Sequence, residues 1–113
     1  VSTPDHPEKS ADIDDWGTTA KVLIQDFGYD KIPDINAIRT KFLQEPLAKK
    51  ARELSERCGV NRETFITAAS ITIAVPERTD TGSIAYRLCN RRGPKYGQVR
   101  DCLAIAKDRY IDP

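Results

Sequence analysis

The sequence predicts a small, mainly α-helical domain carrying one short β-hairpin. Three observations lead there. Apolar residues recur at helical spacing through most of the chain. A glycine at 59 falls between two such stretches, with a good helix cap at Asn61 directly after it. Two short runs near 71–75 and 84–88 alternate apolar and polar residues instead, which is the period of a strand.

Residues 1–10 are polar with two prolines and are expected to form a flexible tail. Residues 11–113 are expected to make one domain, because 113 residues with 39% aliphatic and aromatic content supply one modest core. The chain holds no methionine, even at position 1, so a processed product or a domain of a longer protein is expected.

The first helix follows a cap at Ser10 or Asp12. Ile13, Trp16, Ala20, Leu23, Ile24 and Phe27 form its apolar stripe, and Gly28 stops it. Asp34 caps a second helix that faces inward with Ile35, Ile38, Phe42 and Leu43. Pro46 ends that helix and opens a third, from about Leu47 to Arg57. There Leu47, Ala51, Leu54 and Cys58 face the core and the charged residues face out.

The fourth helix starts after Asn61. Its continuation, Ile66-Thr67 and Ile71 to Val75, is rich in β-branched residues, which weakens helix preference. The run is therefore split: helix over 62–70, strand over 71–75. Pro76 closes the strand, 78–82 turns, and Ile84, Tyr86 and Leu88 return as a second strand. The competing assignment continues the helix to Ala74 and makes 83–91 helical as well. A loop at 90–97 leads to a last helix with Val99, Cys102, Leu103, Ala106 and Tyr110 on one stripe.

Residues 51–70, ARELSERCGVNRETFITAAS, satisfy a demanding spacing. A small residue, Ser55, stands four before Gly59, where two helices must cross closely. Leu54, Cys58, Val60, Phe65 and Ala68 occupy the inward positions. The run resembles the helix-turn-helix of Cro-type repressors and many bacterial regulators, at about twenty residues only. Serine replaces the usual alanine, Phe65 is bulky, and Ile66 falls on the face expected to meet solvent or DNA.

The resemblance implies a recognition helix at 62–70, with the hairpin as a wing and transcription regulation as the setting. It makes Asn61, Arg62, Thr67 and Ser70 candidates for base contact, with Thr67 and Ser70 also in reach of phosphates. Lys49, Lys50 and Arg52 become phosphate contacts on the preceding helix.

Charge supports a polyanionic partner. Residues 1–30 carry two basic and seven acidic residues, net −5, and residues 31–113 carry net +6. Within 87–100, Arg87, Arg91, Arg92, Lys95 and Arg100 surround Tyr96 with no acid before Asp101. Such a segment suits phosphate contacts and base stacking. Binding to duplex DNA is the leading expectation. The alternative is a protein-interaction domain, with the acidic first helix as one docking surface. A third is a metal-independent nuclease of toxin type built on Arg92, Lys95 and Tyr96.

Other classes find little support. No phosphate-binding glycine loop, metal-ligand cluster or nucleophile–histidine pair is present. Neither a catalytic group nor a cofactor is expected. The acidic bunch Asp12, Asp14 and Asp15 suits a helix start. Cys58, Cys89 and Cys102 are odd in number and widely spaced, as for reduced core thiols in a cytoplasmic protein. His6 lies in the polar tail. No apolar run is long enough for a membrane span, and no signal peptide is visible.

Overall fold

The computed structural model describes residues 17–76, 79, 81–89 and 95–112. The expected tail, Ser10, Asp12, Ile13 and Trp16 of the first helix, and the loop arginines Arg91 and Arg92 lie outside the described residues. Among the described residues, six α-helices follow in order: α1 Thr18–Phe27, α2 Ile32–Phe42, α3 Leu47–Cys58, α4 Arg62–Ala74, α5 Thr81–Leu88 and α6 Tyr96–Ile111. One 3-10 turn, Tyr29–Lys31, joins the first two.

The chain reverses tightly after α1. Gly28 is buried there, and a Cβ at this position would stand 2.6 Å from the Cδ1 of Ile35. Without a Cβ there, the Ile35 side chain of α2 fills the space, and Val75 Cγ2 stands 3.3 Å from the same point. Pro33 opens α2 at a position where its missing N–H costs nothing. Arg39 is fully buried on this helix and donates from Nη1 to Asn36 Oδ1 at 2.9 Å. Between α2 and α3 the Glu45–Pro46 peptide bond is cis.

α3 matches its expected pattern. Ala51, Leu54, Ser55 and Cys58 are buried, while Lys49, Arg52, Glu53, Glu56 and Arg57 are exposed. Gly59 ends it with φ +74°, a left-handed conformation that glycine adopts without steric cost. Its amide N–H donates to Glu56 O, and that of Val60 to Ser55 O. Asn61 then caps α4, its Oδ1 accepting from the backbone of Glu63 at 2.9 Å and Thr64 at 3.3 Å.

α4 overturns the expected hairpin. It continues to Ala74, and every residue from Thr64 to Thr72 is buried. It packs against α1, α2, α3, α5 and α6 and is the axis of the fold. Enclosure on all sides explains the sequence pattern: a helix with no solvent face needs no polar stripe. The stiff isoleucines and threonines then gain packing that outweighs their weaker helix preference. Three of its hydroxyl residues serve the interior. Ser70 Oγ donates to Ile66 O at 2.7 Å, Thr72 Oγ1 donates to Ala69 O at 2.8 Å, and Thr67 is fully enclosed.

The second expected strand is also a helix. In α5, Ile84 and Ala85 are buried and Leu88 half-buried, the i, i+1, i+4 set of one helical face, while Tyr86 is exposed. No strand occurs among the described residues. Thr79, between α4 and α5, is buried, and its Oγ1 donates to Val75 O at 2.8 Å.

α6 runs antiparallel to α3. Arg109 near its end meets Lys49 and Lys50 at the start of α3, and Cys102 in its middle meets Cys58 at the end of α3. Tyr110 closes that end of the core against Phe42, ring centroids 5.6 Å apart.

Candidate functional site

Two of the base-contact candidates are unreachable. Thr67 and Ser70 have no exposed surface, because α4 is wrapped by its neighbours where a recognition helix needs a free face. Ile66, expected on that free face, is 1% exposed. The start of α4 meets solvent fully, through Asn61, Arg62 and Glu63, and its last residues, Ile73 and Ala74, do so only in part. Asn61 spends its side-chain oxygen on the cap, and Glu63 stands beside Arg62.

The phosphate candidates divide into two groups. Lys49 and Lys50 sit in the first turn of α3, beside Arg109, and Arg52 is exposed further along α3. Arg87, Lys95, Tyr96 and Arg100 gather at the opposite end of α6. Tyr96 and Arg109 stand thirteen positions apart on α6, which places the groups about 20 Å apart at the α-helical rise. Exposed Glu53, Glu56 and Glu63 interrupt the positive surface of α3 and the start of α4.

The second group forms a recognisable site. Phe27 of α1, Gly82, Ser83, Tyr86 and Arg87 of α5, and Tyr96 of α6 line an open groove of about 540 Å³. Tyr86 is 75% exposed and Tyr96 41%, a large aromatic surface left in water. The Arg87 guanidinium lies 5.4 Å from the centroid of Phe27 and is ion-paired with Asp26. Together these two contacts favour one orientation of that planar group. Arg100 stands 5.6 Å from the Tyr96 ring and donates to Asp101 at 3.3 Å. Lys95, exposed, immediately precedes α6.

Arg87 also lines an adjoining cleft of about 270 Å³ with Thr19, Gly59, Val60, Asn61, Thr64 and Leu88. The turn before α4 and the tyrosine groove therefore share one arginine. That junction joins two sets of residues that sequence spacing treats separately. Nothing in the sequence marks Asp26, Phe27 or Tyr86 as part of a site: Phe27 reads as core, and Tyr86 as one residue of a strand.

Burial favours the protonated thiol at Cys58 and Cys89. Burial, with Cys102 alongside, pushes the Cys58 thiol up from its ordinary 9.0 to about 11. Burial raises Cys89 as well, and its Sγ donates to Ala85 O at 2.9 Å. All three cysteines are free. Among the described residues, no group of histidine, cysteine and carboxylate side chains is arranged to hold a metal ion. No described helix is long and apolar enough to cross a membrane. Of the acidic residues expected to make the first helix a docking surface, only Asp26 is described in α1, and Arg87 occupies it.

No protein-family model matches the chain, and no curated protein or solved structure matches it either.

Proposed function

We propose that this chain binds nucleic acid along the tyrosine–arginine groove, with single strands preferred over duplex. The observation that carries this reading is Arg87, which lines both the Tyr86–Tyr96 groove and the Asn61 cleft. Two exposed rings beside the Arg87 guanidinium offer stacking surfaces that accept any base. Residues 81–100 add five positive charges and no acid, which suits a sugar–phosphate chain. The enclosure of α4 removes the element that would read a duplex through its major groove.

Fluorescence anisotropy with labelled single strands and duplexes, at low and moderate salt, tests the proposal. Single strands are expected to bind more tightly, with affinity falling steeply as salt rises. Tyr86→Ala or Tyr96→Ala should each weaken binding by about 1–3 kcal/mol. Arg62→Ala should have a smaller effect. Absence of salt-dependent binding to any strand sinks the proposal. Recovery of shortened strands without added metal, lost in Tyr96→Phe, would instead support the nuclease alternative.

A protein partner is the second reading. Arg87 and Arg100 already have carboxylate partners, and Glu53, Glu56 and Glu63 break the positive surface. Tyrosine and arginine are also frequent anchors at protein interfaces. On this reading nucleic-acid titrations stay flat, and the tyrosine variants abolish capture of a specific protein partner.

A further inference from the structure

A second cavity, of about 290 Å³, opens at the far end of the α3–α6 pair. Pro46, Leu47, Lys49, Lys50 and Glu53 come from the start of α3, and Arg109 from the last turns of α6. Three cations thus face one carboxylate. Glu53 lies 3.6 Å from the Lys50 ammonium, so that carboxylate is already engaged. Lys49 and Arg109 make no ion pair among the described residues.

We propose that this cavity binds a phosphate monoester carried on a compact apolar body. Arg109 presents a planar fork suited to two phosphate oxygens, and Lys49 adds a mobile point charge. Pro46 and Leu47 supply an apolar wall for the organic part. Cations gathered in a concave site focus the potential and concentrate anions there. α3 has no acidic residue in its first turn, so the positive end of its dipole adds to these cations, with exposed Glu45 just before the helix as the nearest acid in sequence. The volume sits at the lower edge of known ligand pockets, about 300–1,000 Å³, which suits one ring-sized group. The site is independent of the tyrosine groove.

Titration of the full chain, followed by NMR chemical shifts, tests the site. The probes are phenyl phosphate, inorganic phosphate, phenol and a 5′-phosphorylated oligonucleotide. Phenyl phosphate should bind about tenfold more tightly than inorganic phosphate, and phenol should not register. Lys49→Ala and Arg109→Ala should each weaken phenyl phosphate binding about tenfold or more, a loss of roughly 1.4 kcal/mol. Both side chains are exposed, so these variants keep the fold. Glu53→Gln should tighten binding, and Tyr96→Ala should leave it unchanged.

If the oligonucleotide end binds through the same two cations and more tightly, the phosphate comes from a strand terminus. If phenyl phosphate is the tighter, it comes from a small molecule. Absence of binding by both probes at millimolar concentration, or binding indifferent to Lys49→Ala and Arg109→Ala, overturns the proposal.

Discussion

Ile66→Ala separates an enclosed α4 from an exposed recognition helix. Ile66 is 1% exposed and packs within the core of α4 and its neighbours. The change removes three buried carbons, worth about 0.8 kcal/mol each in transfer from water. The cavity left behind adds roughly another 1–2 kcal/mol where the surroundings cannot collapse. Alanine returns about 0.5 kcal/mol through its better helix preference. The net loss is about 3 kcal/mol, a large part of the ~5–15 kcal/mol that holds a typical domain.

Urea unfolding followed by circular dichroism measures this directly. The midpoint should fall by about 2 M with the slope unchanged, and the melting temperature by roughly 10–18 °C. An Ile66 that faced solvent would give a change within about 0.5 kcal/mol, or a slight gain. A loss below about 1 kcal/mol therefore refutes the enclosed helix.

Three further outcomes follow from particular contacts. The Thr67 hydroxyl is buried with no hydrogen-bond partner, so Thr67→Val should be neutral or stabilise by about 1 kcal/mol, read as a rise in melting temperature. Asn61→Ala should cost about 1 kcal/mol by removing the cap, whereas Asn61→Asp should keep stability and weaken nucleic-acid affinity in the anisotropy assay. Cys58 is a thiol in the fold up to about pH 11 but ionises near 9.0 when unfolded. Its contribution is complete below the unfolded value and is lost as pH rises through that window. Cys58→Ser should therefore flatten a stability loss on the order of 2 kcal/mol between these pH values in urea titrations.

The sequence is most legible where its signals are local. Gly59 and Asn61 name the turn and the cap by their own chemistry, and α3 shows its buried stripe because its other face meets water. α4 defeats the same approach for a physical reason. Periodicity records the contrast between a wet face and a dry one, and residues 64–72 have no wet face. What remains visible is the β-branched content, with Ile71, Ile73 and Val75 mimicking the alternation of a strand.

α5 fails differently. Ile84, Tyr86 and Leu88 alternate by accident, and a short helix of eight residues offers too few turns to correct the impression. The groove inherits that error. Arg87 and Tyr96 stand out by charge and ring, but Tyr86 joins them only once α5 is helical. Phe27 joins only once α1 lies alongside. Lys49 and Lys50 stand out as cations, yet nothing in the sequence brings Arg109 to them.

Enclosure of α4 also shapes what happens when the protein comes apart. Between Glu63 and Glu77 the chain carries no charge, and most of that stretch is isoleucine, threonine, valine, phenylalanine and alanine. The fold hides it as a helix at the centre of five others. Released into water, the segment has the composition of a cross-β aggregation core, with proline only at its end. The strand-like pattern in the sequence thus matches what the released segment is expected to form. Heating is expected to give sedimenting aggregates instead of a reversible melt, and an added lysine at half-exposed Ile73 would act as a gatekeeper against them.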